Sequence, residues 1–199
     1  MDNNVTNQRF SMLKQYHTDT LNKAIVEKKV DEILVPFLLE VVKIPDIFTS
    51  SSCAGRIMLL STNEEESKKI SSFHKKYHRT VSFEEIKRDI AQVSENDLWL
   101  KIESFIFHFG CKDYQKAKEV LSFSQEFGLK KAGIITAKDG KYILEITSTQ
   151  FMALPVKVYD VVLISDDYLK LVLERANKKM EINFERLSRF SKSFLEKFK

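Results

Sequence analysis

The feature that most constrains this fold is an apolar stripe near the C-terminus. Hydrophobic side chains recur there at spacings of three and four residues over about seven helical turns. They are Leu169, Leu173, Ala176, Met180, Phe184, Leu187, Phe190 and Phe194. This spacing is typical of one helix face and predicts a long helix over residues 168–198. Because the stripe contains bulky aromatic residues instead of regular heptad aliphatics, a helix lying across a sheet is favoured over a dimeric coiled coil.

The rest of the chain mixes helix and strand signals. Apolar periodicity predicts helices over residues 7–28 and 32–42, and Ser82 with Glu85 fits a capping box that opens a helix over residues 83–93. Asp113 is a candidate cap for a helix over residues 114–127, with Gly128 as its left-handed C-terminal residue. Strands are predicted over residues 57–60, 98–109, 132–137, 142–148 and 158–164, and residues 70–77 fit a strand or a helix. We therefore predict a single α+β domain over residues 1–199, with a mixed or antiparallel sheet packed with helices.

Composition places the chain among ordinary globular proteins, with 43% hydrophobic and 30% charged residues in a length of 199. The longest apolar stretch is far shorter than the roughly 20 residues that span a bilayer, and the polar N-terminus lacks a signal-peptide core. We therefore expect a cytoplasmic protein that makes no contact with a membrane. Cys53 and Cys111 are too few for a disulfide framework, and no spacing of cysteine and histidine supports a metal site, so no metal is expected.

Basic residues gather in two parts of the sequence. Between Lys68 and Arg88 they outnumber acidic residues seven to two, and from Lys170 to the C-terminus nine to four. Such clusters are commonly solvated surface, but two of them in a small protein favour contact with an RNA backbone. The charge pattern alone does not distinguish RNA from another polyanion.

A short polar segment from Ser50 to Arg56 combines three serines, a cysteine, a glycine and an arginine ahead of the apolar run 57–60. The apolar run predicts a buried strand, so we expect the segment to be a loop at the mouth of a sheet. Backbone amides freed by Gly55, serine hydroxyls and the arginine fork suit an anion such as a carboxylate or phosphate. The alternative is a plain serine-rich turn with Arg56 on the surface.

The same segment carries a family resemblance. Residues 51–56, Ser-Ser-Cys-Ala-Gly-Arg, resemble the signature of the tRNA wybutosine-synthesizing protein 3 family of archaeal type. The resemblance continues in order over nearly the whole chain, through His74-Lys75, residues 99–111, residues 128–136, Ser148-Thr149, Leu154-Pro155 and the C-terminal helix. In members of this family, the region that corresponds to residues 70–77 looks like a strand.

The resemblance implies a methyltransferase that uses S-adenosylmethionine. Its implied substrate is tRNA-Phe, where it would methylate ring nitrogen N4 of the tricyclic wyosine-type guanosine derivative 3′ of the anticodon. The sequence has no G-x-G-x-x-G fingerprint after a strand and no Walker A motif. Together with the resemblance, this implies a fold other than the Rossmann-type methyltransferase fold. No obligatory protein partner is evident.

The resemblance also implies roles for individual residues. Methyl transfer to a ring nitrogen requires removal of its proton, and Glu103 and His108 are the candidate catalytic residues. The implied cofactor-binding residues are Ser51, Ser52, Gly55, Arg56, Trp99 and Gly133, and the implied tRNA-binding residues are His74, Lys75 and Lys101. Lys101 and Glu103 lie on one face of an unbroken strand and His108 on the other, so Glu103 and His108 line one pocket only if a bulge intervenes.

Each assignment has an alternative. For Glu103 it is an ion pair with Lys101, and for His108 and Trp99 it is packing in the core. Cys53 is expected to be a small buried residue and not a nucleophile, because methylation of a nitrogen needs no covalent intermediate with the protein. The alternative function is a non-catalytic RNA-binding module that presents tRNA to another enzyme, and a hydrolase built on Cys53 and His108 is a more distant one.

Overall fold

The computed structural model describes residues 3–65, 67 and 69–199. Lys68, counted above in the first basic cluster, lies outside the described residues. In chain order the elements are α1 (Asn3–Val26), a short 3₁₀ helix (Glu32–Leu34), α2 (Val35–Val41), β1 (Ile47–Thr62), β2 (Ser72–Tyr77), α3 (Phe83–Ile90), β3 (Asp97–Cys111), α4 (Tyr114–Glu126), β4 (Gly133–Lys138), β5 (Lys141–Thr147), β6 (Met152–Val158), β7 (Val161–Val162) and α5 (Asp166–Phe198).

The strand pairing confirms the predicted α+β class. The pairs β1–β2, β3–β5, β3–β6, β4–β5 and β6–β7 are all antiparallel. The C-terminal helix α5 runs for 33 residues, as the apolar stripe predicts. This antiparallel arrangement differs from the parallel, doubly wound sheet of a Rossmann fold. Among the described residues, no helix is both long enough and apolar enough to cross a bilayer.

The chain divides into two compact units. Unit 1 is built from the described residues of Met1–Ala54, Phe105–Thr149 and Arg186–Lys199, and unit 2 from those of Gly55–Ser104 and Gln150–Glu185. Three elements, β1, β3 and α5, contribute residues to both units. A single domain over residues 1–199 stays a prediction.

Unit 1 packs helices on both faces of a sheet with strand order β1-β3-β5-β4. One face carries an aromatic cluster drawn from α2, β3, α4 and α5: Phe37, Phe105, Phe107, Phe109, Phe123, Phe190 and Phe194. Helix α1 covers the other face, where the His17 ring stacks on Phe48 at a centroid distance of 4.7 Å. Gly110 lies directly under Phe48, and a Cβ at this position would come within 2.0 Å of the Phe48 ring.

Unit 2 has its own apolar core on one face of its sheet. There β1 lies between β2 and β3, and β6 pairs with both β3 and β7. Ile57 and Leu100 of the sheet belong to one buried cluster with Ile86 of α3 and Leu169 and Leu173 of α5. Helices α3 and α5 therefore cover the face of this sheet that carries Ile57 and Leu100.

The burial pattern of β3 changes parity along the strand. The buried side chains are Leu98, Leu100 and Ile102 in unit 2, and Phe105, Phe107 and Phe109 in unit 1. The buried positions therefore change from even to odd numbers between Ile102 and Phe105, and a bulge near Glu103 and Ser104 stays a prediction. Glu103 lies on the less buried face of β3 within unit 2, and His108 lies on the less buried face of β3 within unit 1.

Several local predictions are confirmed. Ser82 and Glu85 form a complete capping box at the start of α3. Asp113 caps α4 by accepting a hydrogen bond from the Lys116 amide. Gly128 has a φ of 99° after the C-terminus of α4, where Leu129 N donates to Ser124 O over 2.9 Å. Residues 70–77 contain strand β2, as the resemblance favoured.

One loop prediction and one strand prediction are wrong. Residues 50–56 are not a loop, because β1 runs from Ile47 to Thr62 and includes them. Gly55 adopts a φ of 95° inside this strand, so it bends the strand locally without ending it. Residues 158–164 are not one strand but the turn and second arm of the β6–β7 hairpin. The turn residues Tyr159 and Asp160 have φ values of 47° and 62° without being glycine, so the usual turn signal is missing.

Candidate active site

The two charged residues singled out in unit 2, Arg56 and Glu103, form a pair. Nε and Nη2 of Arg56 donate to Oε2 of Glu103 over 2.8 and 2.6 Å. The two side chains are 25% and 40% exposed, so a ligand can reach the pair from solvent. Glu103 is therefore paired with Arg56. The Lys101 ammonium group lies 5.2 Å from the centroid of the Trp99 ring. Trp99 is partly exposed.

The backbone before Arg56 is held in an unusual conformation. Gly55 is buried and has a φ of 95°, a value that disfavours residues with a side chain. The preceding amide, Ala54 N, donates to Oδ2 of Asp31 over 2.7 Å. Asp31 begins the 3₁₀ helix but makes no capping hydrogen bond with its side chain there. Asp31 directly precedes the helix predicted over residues 32–42, and its bond to Ala54 has no local sequence signal.

A second polar group crosses the sheet of unit 1. Nε2–H of His108 donates to Oε2 of Glu145 over 2.9 Å, with the side chains 23% and 40% exposed. His108 is paired in register with Glu145, and Glu145 is paired with Gly133. Ser50 Oγ donates to the carbonyl oxygen of His108 over 3.3 Å. Four strands thus contribute one row of residues, and His108 is not packed away in the core.

Gly133 ends this row beside open space. A Cβ at this position would meet no atom within 4 Å. Its φ lies outside the left-handed range, so the fold itself does not require a glycine here. Glu145 was missed by the sequence reasoning, although a carboxylate inside the apolar run of β5 was a signal for it.

Ser51 and Ser52 open onto a cavity of about 190 Å³ within unit 1. The cavity lies between α1, the segment after it and β1, and its lining includes His17, Thr20, Lys29, Thr49, Ser50, Ser51 and Ser52. Thr49 and Ser52 hydrogen-bond to each other through their hydroxyl groups at 3.1 Å. Burial, assisted by the charge of Lys141, lowers the pKa of His17, which favours a neutral imidazole in this cavity.

The residues predicted to bind tRNA lie in unit 2. Nε2–H of His74 donates to the Asp89 carbonyl over 3.0 Å, so its ring is held against α3. Lys75 and Lys101 are both partly exposed.

The two cysteines differ in burial. Cys53 is only partly buried, so the expectation that it is a small buried residue is wrong. Cys111 is fully buried, and burial raises its pKa to about 12. The Cys111 thiol therefore stays protonated at neutral pH.

Comparison with known proteins adds to this geometry. Residues 7–196 match the protein family described as Methyltransferase TYW3. A tRNA(Phe) 7-((3-amino-3-carboxypropyl)-4-demethylwyosine(37)-N(4))-methyltransferase 1 from Pyrococcus abyssi is 30% identical over 189 residues, covering 95% of this chain and 97% of that protein. A methyltransferase 2 with the same activity in its name, from Pyrococcus horikoshii, is 32% identical over 180 residues, covering 90% and 86%.

Solved structures agree with the sequence comparison. The PH1069 protein from Pyrococcus horikoshii matches with a TM-score of 0.88 and 28% identity, over 94% of this chain and 96% of that one. A protein from Aeropyrum pernix matches with a TM-score of 0.72 and 29% identity, over 83% of this chain and 98% of that one. The family match extends over almost the entire sequence and includes the segment from Ser51 to Arg56. The chain therefore belongs to the Methyltransferase TYW3 family.

Proposed function

We propose that this protein methylates tRNA-Phe at ring nitrogen N4 of 7-(3-amino-3-carboxypropyl)-4-demethylwyosine, with S-adenosylmethionine as methyl donor. The observation that carries the proposal is the similarity to relatives named for this activity, about 30% identity over nearly the full length of both chains. Basic residues on β2 and α5 support an RNA substrate, because they can neutralise backbone phosphates.

The cavity in unit 1 fits part of the proposed methyl donor. S-adenosylmethionine carries a carboxylate and ribose hydroxyls, which need hydrogen-bond donors and acceptors. Ser51, Ser52 and Lys29 offer hydroxyl groups and an ammonium group at the cavity wall. The other residues proposed for cofactor binding are Gly133 in unit 1 and Gly55, Arg56 and Trp99 in unit 2. His74, Lys75 and Lys101 remain the proposed tRNA-binding residues.

His108 is the proposed general base. Because its Nε2 carries the hydrogen that Glu145 accepts, Nδ1 holds the lone pair that can take a proton. Bound S-adenosylmethionine would supply the methyl group from its sulfonium, with the sulfur keeping the electron pair of the broken S–C bond and the N4 lone pair forming the new N–C bond. His108 would take the N4 proton at Nδ1. Glu145 holds the ring in this tautomer and stabilises the imidazolium that results.

Arg56 and Glu103 are proposed to bind and orient. The two hydrogen bonds to Glu103 use two of the five N–H donors of Arg56, which leaves donors for a carboxylate or a phosphate. Oε2 of Glu103 is occupied by Arg56, and Oε1 is the oxygen that can accept a hydrogen bond from the substrate. In this division of roles, Glu103 touches the substrate while fixing the guanidinium plane.

Two measurements test the proposal. Calorimetric titration of the protein with S-adenosylmethionine, alone and with tRNA-Phe present, is expected to show one bound molecule per chain. Mass spectrometry of tRNA from cells lacking this gene is expected to show the nucleoside one methyl group short. If S-adenosylmethionine binds under neither condition and the nucleoside is fully methylated, the protein is not the methyltransferase, and a non-catalytic RNA-binding module becomes the better account.

A further inference from the structure

The face of the unit 2 sheet opposite α3 and α5 carries two aromatic rings. On β3, Leu98 and Leu100 face the helices, so Trp99 between them points to the opposite face. On β1, Ile57 and Leu59 face the helices. Leu60 therefore lies on the opposite face and brings its register partner on β2, Phe73, to that face. Phe73 played no part in the sequence-based assignments.

A bulge in β2 produces this position of Phe73. Lys75 is paired with Leu59 and Phe73 with Leu60, so His74 is an extra residue between them. His74 turns toward α3, where its ring hydrogen-bonds to the Asp89 carbonyl. Phe73 is left with 48% of its surface exposed. An exposed phenylalanine at the edge of the sheet is not explained by core packing.

Cations flank both rings. The guanidinium carbon of Arg56 lies 4.7 Å from the centroid of the Phe73 ring, and the Lys76 ammonium lies 5.6 Å from it. The Lys101 ammonium lies 5.2 Å from the Trp99 ring. Since β1 alone separates β2 from β3, the two strands that carry the rings lie about 10 Å apart, which is twice the usual strand spacing. This spacing accommodates two separate bases.

We propose that Phe73 and Trp99 form a platform on which unpaired bases of the anticodon loop stack, while Lys76 and Lys101 contact the adjoining phosphates. This proposal moves Trp99 from the cofactor-binding set to the tRNA-binding set. Sequence-specific proteins hold single-stranded RNA in this way, with aromatic rings on a sheet face and basic residues along the backbone. The proposal rests on the proposed function only in its choice of RNA. It assigns Phe73 to the recognition of unpaired bases, which a duplex does not offer.

The test compares two RNAs of equal phosphate number in a binding assay without methyl donor: a hairpin with the tRNA-Phe anticodon stem and loop, and a fully paired duplex. Phe73→Ala is expected to weaken hairpin binding between about five-fold and about a hundred-fold, and to leave duplex binding unchanged. Phe73→Tyr retains the ring and is expected to bind the hairpin as the wild type does. Tyr168→Ala, on α5 and with similar exposure (50%), is the matched control and is expected to change neither affinity.

Lys76→Ala separates charge from stacking. This change is expected to weaken binding of both RNAs and to reduce the slope of log K against log salt by about 0.7 to 0.9. Phe73→Ala is expected to leave that slope unchanged. Thermal unfolding of each variant checks that the fold is intact, which the exposed positions of Phe73 and Lys76 favour.

The outcomes distinguish the platform from the proposed reaction. Three results would overturn the platform. They are an unchanged hairpin affinity in Phe73→Ala, equal losses of affinity for hairpin and duplex, and no hairpin binding by the wild type. If hairpin binding depends on Phe73 and no methyl is transferred to tRNA, the platform stands and the proposed function falls. If methyl transfer occurs and Phe73→Ala leaves the hairpin affinity unchanged, only the platform is wrong.

Discussion

Two charged pairs, Arg56–Glu103 and His108–Glu145, carry the proposed chemistry at the scale of single residues. Their members are separated by 47 and 37 positions in the sequence. Arg56 could be proposed as a site residue from its polar segment beside an apolar run, whereas Glu103 and His108 were proposed from the family resemblance. The pairings could not be predicted, since no local pattern connects residues on different strands. Glu145 was therefore missed, and the pair of Glu103 with Arg56 was not among the alternatives.

The Arg56–Glu103 pair gives a test of function against structure. Because both side chains are partly exposed, Arg56→Ala is expected to lower the free energy of unfolding by about 1 kcal/mol or less. The same change is expected to weaken ligand binding by roughly 1.5–3 kcal/mol, since charged hydrogen bonds are lost. Urea unfolding, the Kd for S-adenosylmethionine and the KM for tRNA measure these effects. Arg9→Ala, an exposed arginine on α1 outside both basic segments, is the control, and unchanged Kd and KM in Arg56→Ala would make Arg56 structural.

The His108–Glu145 pair gives a test of the proposed base. His108→Ala is expected to lower kcat by about 10²- to 10⁴-fold with little change in KM, because a general base acts in the transition state. Glu145→Gln is expected to lower kcat less, since the amide oxygen still accepts from Nε2–H. Added imidazole should restore part of the rate of His108→Ala but not of Glu145→Gln. A kcat that survives His108→Ala removes this residue as the base.

At the scale of elements, helix ends were predictable and the course of β1 was not. The capping box of α3 and Gly128 after α4 are short-range signals, and the bonds that they predict are local. The segment from Ser50 to Arg56 has the composition of a loop, yet it continues β1. The contacts that keep it extended come from distant residues, such as Asp31 at Ala54 N and the His108 carbonyl at Ser50.

The capping box at α3 predicts a pH dependence of stability. Hydrogen bonding to Arg79, and then to the Ser82 amide, lowers the pKa of Glu85 from 4.5 to about 2. A depressed carboxyl pKa stabilises the fold above pH 4.5, and this contribution is lost as the pH falls toward 2. Wild type is therefore expected to be more stable than Glu85→Gln at pH 6, with the difference shrinking to near zero at pH 2. Separately, Ser82→Ala removes the side-chain cap of α3 and is expected to lower the free energy of unfolding by about 1 kcal/mol. Equal urea midpoints for wild type and Glu85→Gln at pH 6 would contradict the predicted pH dependence.

Replacing either of two glycines of unit 1 by alanine is expected to have opposite effects on stability and on binding. Gly110→Ala places a Cβ into the Phe48 ring, which is fully buried and stacked on His17, so a loss of about 1–3 kcal/mol in unfolding free energy or more is expected. Gly133→Ala meets open space, and stability is expected to change by less than about 0.5 kcal/mol. Its methyl group should instead weaken binding of S-adenosylmethionine. Urea unfolding and calorimetry separate the two, and normal stability of Gly110→Ala would contradict the packing.

At the scale of the whole molecule, the α+β class follows from alternating helix and strand signals and from the C-terminal stripe. The two compact units could not be predicted, because no linker rich in proline or glycine marks their boundaries. Instead β1, β3 and α5 contribute to both units. Along β3 the buried positions change from even to odd numbers near Glu103, next to one such boundary. This change can be recognised as a unit boundary only when the packing of each unit is known.

The most direct test of the central claim is methyl transfer by the purified protein. It is incubated with S-adenosylmethionine labelled in the methyl group and with tRNA-Phe that carries 7-(3-amino-3-carboxypropyl)-4-demethylwyosine, and the nucleosides are then analysed by mass spectrometry. We predict that one labelled methyl group appears on N4 of this nucleoside, and that the His108→Ala protein transfers about 10²- to 10⁴-fold more slowly. Absence of label from this nucleoside, in a preparation that is folded and binds the tRNA, would contradict the account.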